Sequence, residues 1–242
     1  MLWKIFAMIP NDSQSSIRHW AQAMADGMDR LGNPQVSPDW SHHENIRILS
    51  REQDYNEYCY IVAGTVGYML TELVTQHYGF SESVVTALEP WAESCGRGLQ
   101  KTNILKDFAN DLSRGLCYLP EEWLEEVRFA PLFLEGAPGT WKKKVIDNVM
   151  DELCSSVEYL LALPYPAEGY RMASLLSMLP AMQTIYLATQ LRDKLFTTEH
   201  HVKISRQVMA ECITDARRLL KDNEGIMEYA RGIQEAIDAQ FE

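Results

Sequence analysis

The most informative stretch of the sequence is residues 98–120, GLQKTNILKDFANDLSRGLCYLP. At about 100° per residue, its apolar side chains form one face of a helix, and a polar stripe about 80° wide lies beside that face. The apolar face consists of Ile104, Leu105, Phe108, Ala109 and Leu112, and the stripe consists of Gln100, Asn103, Asp107 and Asp111. This pattern predicts a half-buried helix that carries amides and carboxylates along the edge of its buried face.

Two carboxylates stand four residues apart in this stripe, at Asp107 and Asp111. Such a pair weakens an isolated helix by about 0.2–0.5 kcal/mol through like-charge repulsion. Spacing alone fits a solvated helix face as well as a metal site, because exposed acidic residues are common. The amides of Gln100 and Asn103 favour the metal site, since aligned oxygen ligands suit Mg²⁺ together with substrate phosphates. Asp107 and Asp111 are therefore the candidate Mg²⁺ ligands, and Gln100 and Asn103 the candidate substrate contacts, with a solvated helix face still open as the alternative.

A second acidic pair, Asp147 and Asp151, has the same spacing and serves as an internal comparison. It projects away from the apolar stripe that Ile146, Val149 and Leu153 form on the same predicted helix. We expect this pair to be solvated and to bind no metal.

Helical periodicity runs through the rest of the chain, and the 242 residues fit one domain, residues 1–242. The pattern predicts an all-α helical bundle without strands, with a loop over residues 33–45. It places one long helix from Tyr55 to His77, closed by Gly79, and a further helix capped by Ser81. Pro120 should begin a short helix, and Thr140 should cap the helix after the break at residues 136–139.

Composition limits the classes of function. The net charge of -12 and pI near 5.0 argue against nucleic-acid binding, which selects a basic surface. Five scattered cysteines without a CxxC pair predict free thiols in a reducing compartment. Neither a signal peptide nor an apolar run of about 20 residues is present, so we expect a cytoplasmic protein with at most peripheral membrane contact.

Two motifs resemble a known family. Residues 98–120 resemble the second aspartate-rich motif of the squalene and phytoene synthases, and residues 58–67, YCYIVAGTVG, resemble a signature that precedes it. Weaker similarity extends from about Ile17 to about Ala216. The run LQKTNI leans toward squalene synthases, whereas RGLCYLP leans toward phytoene synthases. The resemblance implies an isoprenoid-synthase-type helical bundle that joins two prenyl diphosphates head to head.

The resemblance also implies roles for single residues. Tyr58 matches a tyrosine that the family uses near the cyclopropyl-forming step. Lys106 and Arg114 flank the carboxylates and are candidates to bind diphosphate oxygens, with surface charge pairing along the helix as the alternative. Family members usually carry arginine where Lys106 and Leu116 stand here, so the second position has lost a charged group.

The family's first aspartate-rich motif should lie upstream of every residue in this chain. The resemblance therefore predicts an N-terminally incomplete bundle and an enzyme completed by a second polypeptide or by self-association. Mg²⁺ is the implied cofactor, with NADPH in addition if the reaction is of the squalene type. A competing hypothesis is a non-catalytic lipid-binding or assembly protein of the same fold.

Other features of the sequence leave their alternatives open. Ala63, Gly64 and Gly67 fit a close helix crossing or room for a prenyl tail equally well. Several large apolar residues fit a lipid tunnel, although core packing is the commoner explanation: Met69, Phe108, Met172, Met178 and Met182. The run at residues 142–144, KKK, is best explained as a solvated helix start rather than a membrane contact.

Overall fold

Helices form most of the chain in the computed structural model, which describes residues 2–32, 40–199 and 201–242. They are α1 (Leu2–Phe6), α2 (Asn11–Gly32), α3 (Glu52–Cys59), α4 (Thr65–Tyr78), α5 (Glu82–Ser113), α6 (Glu121–Val127), α7 (Gly139–Ala162), α8 (Glu168–Gln190), α9 (Arg206–Leu219) and α10 (Asn223–Asp238). The predicted all-α class is confirmed, apart from one small sheet.

The long helix α5 lies at the centre of the bundle, between α4 and α7. Glycines allow the close approach of α4: a Cβ on Gly67 would overlap the carbonyl oxygen of Ala92, and one on Gly96 would overlap that of Ala63. The close-crossing explanation for the small residues near position 64 is therefore confirmed. The apolar face predicted for α5 is buried throughout, which orients the polar stripe along the edge of the core.

The helix predicted over residues 55–77 is interrupted. Residues Tyr60–Gly64 form a π-helical turn between α3 and α4, a wide turn that is frequent at functional sites. Gly79 ends α4 with φ +66°, as predicted, because glycine adopts the left-handed region without steric cost. Ser81 occupies the N-cap of α5, yet its hydroxyl bonds to the Ser83 hydroxyl at 2.9 Å rather than to the backbone.

A three-stranded sheet corrects the prediction that strands are absent. β1 (Trp40–His43) pairs antiparallel with β2 (Ile46–Leu49), which pairs in parallel with β3 (Leu116–Cys117). Strands of four and two residues are too short to show a convincing alternation, so periodicity missed them. The predicted loop over residues 33–45 is wrong from residue 40 onward, and its part at residues 33–39 lies outside the described residues.

The start of α7 differs from two predictions. Pro120 does begin α6, but Pro138 rather than Thr140 occupies the N-cap of α7. Lys142 is buried and not solvated, and its ammonium donates to the carbonyl oxygens of Glu135 at 2.6 Å and Arg192 at 2.8 Å. Consecutive helical residues point about 100° apart, so one lysine of three faces the core.

The helices of residues 2–32, 40–199 and 201–242 include none with the length and apolar character needed to span a membrane.

Candidate functional site

An apolar groove of about 260 Å³ runs beside the central helix. Residues of α5 and α7 form its floor, and residues of α4 and α8 form its walls. Leu99 and Leu153 contribute to the floor, while Leu70 and Met178 belong to the two walls. Ala63 and Gly67 also line the groove, so these small residues both permit the helix crossing and leave space.

The polar stripe of α5 begins inside this groove and continues beyond it. Gln100 and Asn103 line the groove. Asp107 and Asp111 follow one and two turns later on the same helix. An apolar channel thus leads along one helix face to two amides and then to two carboxylates.

Lys106 neutralises the first carboxylate. Its ammonium donates to both carboxylate oxygens of Asp107, at 2.8 and 2.7 Å. The two side chains are 34% and 38% exposed, so water screens the pair and it contributes little to stability. Asp107 is therefore accessible, and Lys106 can leave it for another anion at small cost.

The second carboxylate is less well compensated. Burial raises the pKa of Asp111, and the nearby charge of Asp107 raises it further, while Arg114 and Lys106 lower it. Arg114 is the C-cap residue of α5 and is exposed to solvent. A cation bound between the two aspartates would relieve the repulsion that raises this pKa.

Tyr58 lies near the same carboxylate. Its ring stacks on Tyr118 with centroids 4.5 Å apart. Burial raises the pKa of Tyr58 far above its usual value, the hydrogen bond with Tyr118 raises it further, and the Asp111 charge adds to the effect. Tyr58 therefore remains a neutral hydroxyl at any physiological pH and offers a ring face and an O–H group next to the acidic stripe.

The ligand set suits Mg²⁺ shared with a substrate. Two carboxylates and two neighbouring amides are hard oxygen donors, and Mg²⁺ is usually held by one or two carboxylates plus phosphate oxygens. Among the described residues no group of three or more histidines, cysteines or acids is arranged to hold a metal. The residues present thus fit a cation that binds together with an anionic ligand.

Leu116, the position at which the resemblance led us to expect a charged group, lies in the small sheet. It pairs with Arg47 in the parallel register of β2 and β3, and the amide of Arg47 donates to the carbonyl oxygen of Gly115 at 2.9 Å. The Leu116 backbone therefore helps to hold the chain that follows the acidic stripe.

Sequence reasoning missed a buried charged cluster between α5 and α7. Glu152 forms ion pairs with Arg97 and with Lys101, the latter at 3.1 Å, and Lys101 also donates to the side chain of Asn148 at 2.9 Å. Lys101 is only 2% exposed, and burial lowers its pKa. The sequence did contain one indication of this cluster: Lys101 lies one turn before Leu105 on an otherwise apolar helix face, which indicates a buried charge that needs an acidic partner.

The comparison pair on α7 occupies a different environment. Asp147 accepts both its hydrogen bonds from Lys143, at 2.9 and 2.8 Å, and Lys143 also pairs with Asp238. Asp151 is exposed. The pair lines a surface cleft with Lys144 and no apolar channel leads to it.

The five candidate tunnel residues divide between the groove and the core, and Met69 is half-buried on α4 outside the groove lining. Met178 lines the groove, while Phe108 and Met182 are buried in the main cluster. Met172 packs against that cluster from the surface side.

Comparison with known proteins shows which family this chain resembles. The model of the squalene/phytoene synthase family matches residues 3–185. A presqualene diphosphate synthase of Zymomonas mobilis is 33% identical over 63% of this chain and 41% of its own length. A squalene synthase of Cyberlindnera jadinii is 28% identical over 79% of this chain and 43% of its own length.

The solved structures agree on the fold. TcSQS, in complex with the ligand BPH1237, superposes with a TM-score of 0.72 at 21% identity, covering 98% of this chain and 64% of TcSQS. A dehydrosqualene synthase superposes with a TM-score of 0.59 at 18% identity. The chain spans less than half the length of each curated relative named above. Because the family model covers well over half of the chain, the protein belongs to the squalene/phytoene synthase family.

Proposed function

We propose that this chain takes part in the Mg²⁺-dependent head-to-head condensation of two allylic prenyl diphosphates, a reaction of the squalene or phytoene type. One observation carries the proposal: a single helix face leads from an apolar groove through Gln100 and Asn103 to Asp107 and Asp111. An amphiphile with a hydrocarbon tail and an anionic head matches that order of surfaces.

Each polar residue along this face of α5 has its own proposed role. Mg²⁺ held by Asp107 and Asp111 would supply positive charge for the leaving diphosphate. Lys106 would leave Asp107 to bind diphosphate oxygens, joined by Arg114 at the end of α5. Gln100 and Asn103 would orient the head group from the groove side.

Two further features serve the reacting carbons. Once its open side is covered, the apolar groove would exclude water, which would otherwise capture an allylic carbocation. The ring of Tyr58 can stabilise positive charge through its face, and its neutral hydroxyl is available to orient a proton acceptor. A squalene-type reaction would in addition use NADPH as the reductant.

We further propose that a second polypeptide, or a second copy of this chain, completes the site. The groove is open between α4 and α8, and its wall residue Leu70 is 38% exposed. Apolar surface of this kind commonly marks an interface. The composition favours a cytoplasmic protein with at most peripheral membrane contact.

Calorimetry with a non-hydrolysable farnesyl diphosphate analogue tests the site. We expect weak Mg²⁺ binding by the protein alone and tighter binding of Mg²⁺ when the analogue is present. Equal analogue affinity with and without Mg²⁺ would contradict the proposal and favour a non-catalytic lipid-binding protein.

Product analysis tests the need for a partner. The isolated chain is incubated with farnesyl or geranylgeranyl diphosphate, Mg²⁺ and NADPH, and hydrocarbons are measured by mass spectrometry. We expect no product, because a single acidic cluster leaves developing charge uncompensated, at about 2.7–4 kcal/mol of barrier per lost contact. Product formed by a strictly monomeric protein would show that this chain completes the site by itself.

A further inference from the structure

Three hydroxyl groups form a hydrogen-bonded bridge at one end of the apolar groove, and two of their residues, Tyr159 and Tyr170, line the groove. Tyr159 of α7 lies between Thr71 of α4 and Tyr170 of α8, with oxygen–oxygen distances of 2.7 and 3.1 Å. This hydroxyl bridge connects the two walls of the groove, α4 and α8, through its floor. A hydrocarbon chain lying in the groove would meet it head on.

The direction of the hydrogen bonds makes the bridge self-contained. Thr71 donates its hydroxyl proton to the carbonyl oxygen of Gly67, at 2.8 Å. Thr71 must therefore accept from Tyr159, which in turn accepts from Tyr170. Each hydroxyl proton has an acceptor, so the bridge presents no unpaired donor to an apolar ligand and is costly to break.

The two tyrosines are uncharged. Burial raises the pKa of Tyr170 to about 12 and that of Tyr159 further still. The bridge is therefore a fixed neutral wall and not a site for an anion.

The bridge stands at the opposite end of the groove from the carboxylates. On α4, Gly67 lies against Ala92, and on α7, Ser156 donates to the carbonyl oxygen of Ser94 at 3.2 Å. Both contacts are at the N-terminal half of α5, whereas Asn103 lies toward its C-terminal end. Thr71 and Tyr159 follow Gly67 and Ser156 by about one turn, leading away from Asn103.

The length of the groove then limits its occupant. From Asn103 to Cys95, the groove-lining residue of α5 nearest the bridge, the helix axis advances about 12 Å. With C–C bonds of about 1.5 Å, an extended prenyl chain lengthens by about 5 Å per isoprene unit. The bridge lies about one further turn, roughly 5 Å, beyond Cys95, so a chain of three units (about 15 Å) fits in front of it, and a fourth unit (about 20 Å in all) would have to pass through it.

From this geometry we infer that the hydroxyl bridge of Thr71, Tyr159 and Tyr170 sets the chain length of the prenyl substrate and selects farnesyl over geranylgeranyl diphosphate. The inference rests on the proposed function, since it assumes that the groove holds a prenyl tail.

Binding of thiodiphosphate analogues with geranyl, farnesyl and geranylgeranyl chains, in the presence of Mg²⁺, tests the inference by calorimetry. The wild-type protein should bind the farnesyl analogue about tenfold more tightly than the geranylgeranyl analogue, since discrimination by size in an apolar pocket starts at about that level. Tyr170→Ala removes one end of the bridge and should abolish this preference. Tyr186→Ala, a partly buried tyrosine of the same helix outside the groove lining, should retain it.

A second variant, which shortens the groove where Tyr170→Ala lengthens it, keeps the inference testable even if Tyr170→Ala does not fold. Ser174 lines the groove one turn from Tyr170 on the side of the head group. Ser174→Phe should shorten the groove by about one isoprene unit, lowering affinity for the farnesyl analogue about tenfold while sparing the geranyl analogue. Circular dichroism establishes that each variant is folded.

The outcomes separate the two proposals. If none of the analogues binds the wild-type protein, the proposed function fails and the inference fails with it. If the analogues bind, but the preference is absent in wild type or unchanged in both Tyr170→Ala and Ser174→Phe, the site stands and the role of the bridge is overturned.

Discussion

The two DxxxD pairs of this protein have the same spacing and the same helical setting, and both begin with an aspartate held by a lysine. On α5, Lys106 binds both oxygens of Asp107, and on α7, Lys143 binds both oxygens of Asp147. The difference lies in what surrounds them. The α5 pair follows Gln100 and Asn103, whose amides lie at one end of an apolar groove, whereas the α7 pair lines an open surface cleft.

This comparison teaches that local spacing does not decide whether two carboxylates form a functional site. Both pairs raise the pKa of their second member, Asp111 or Asp151, through burial and the charge of the first. The electrostatics of the two pairs are therefore similar, and the neighbouring surface distinguishes them. In the proposed function, the groove beside Asp107 and Asp111 holds the tail of a ligand whose head group binds at the carboxylates, and the α7 pair has no such neighbour.

The largest effect is expected at a third acidic residue of α7, one position beyond Asp151. Glu152→Ala leaves Lys101 buried without its carboxylate partner, which should lower the free energy of unfolding by about 3–5 kcal/mol. Urea denaturation measures this change, with Asp151→Ala, an exposed neighbour, as the control. A loss below about 1 kcal/mol would show that the cluster is not a structural element.

The second prediction addresses the two pairs directly. The double variant Asp107→Asn, Asp111→Asn should lose the Mg²⁺-dependent gain in analogue affinity, a change of about 100-fold if each charged contact contributes about 1.5 kcal/mol. The double variant Asp147→Asn, Asp151→Asn should behave like wild type in the same titration. A lost response in the α7 variant would show that the functional pair has been misassigned.

The third prediction uses the raised pKa of Asp111. Mg²⁺ requires the ionised carboxylate, so the Mg²⁺-dependent gain in affinity should decline as the pH falls toward this pKa, which lies above the usual 3.8. Below it, the gain should fall by about tenfold per pH unit at most. Calorimetry across pH 4–7, in comparison with Asp111→Asn, measures the profile; a pH-independent response would contradict a role for Asp111.

The raised pKa of Asp111 affects folding in the opposite direction: ionisation of this carboxyl favours Mg²⁺ binding but lowers the stability of the metal-free protein. A carboxyl whose pKa is raised in the folded state favours folding below its unfolded pKa, and this contribution is lost as the pH rises through the folded pKa. Asp111→Asn should therefore stabilise the metal-free protein slightly at neutral pH, by about 0.2–0.5 kcal/mol from relieved repulsion. Thermal unfolding without Mg²⁺ measures this, and a loss of stability would show that Asp111 has a structural role.

The smallest effect on ligand binding is expected at the lysines. Lys106→Met should strengthen binding of Mg²⁺ alone a few-fold, by about 0.5–1 kcal/mol, because Asp107 loses its competing partner. It should also weaken analogue binding, since one cation for the diphosphate is removed. Lys143→Met is the matched change on α7 and should alter neither titration; equal effects of both variants would break the comparison.

Local patterns predicted much of the architecture. The apolar faces of α5 and α7 were visible as 3.6-residue periodicity. Gly79 marked the end of α4 because glycine adopts positive φ without steric cost, and Pro120 marked the start of α6 because proline has a fixed φ and no amide hydrogen. The strands at residues 40–49 were missed because they are stabilised by pairing with one another and with β3. The residues of β3 lie about 70 positions away, so a short stretch of sequence does not reveal the pairing. Lys142 was misassigned for a related reason, since its carbonyl acceptors Glu135 and Arg192 lie in two short 3-10 turns outside α7, the second of them 50 positions away along the chain.

The sequence by itself determined the helices, the acidic stripe of α5 and the two family motifs, because each depends on neighbours within a few turns. Only the tertiary structure decided which of the two acidic pairs adjoins an apolar groove, and that Thr71, Tyr159 and Tyr170 meet across it. Those three residues come from three helices, and hydroxyl groups 88 and 11 positions apart show no local periodicity. Their contact exists because α4, α7 and α8 surround the same helix, and that arrangement is a property of core packing.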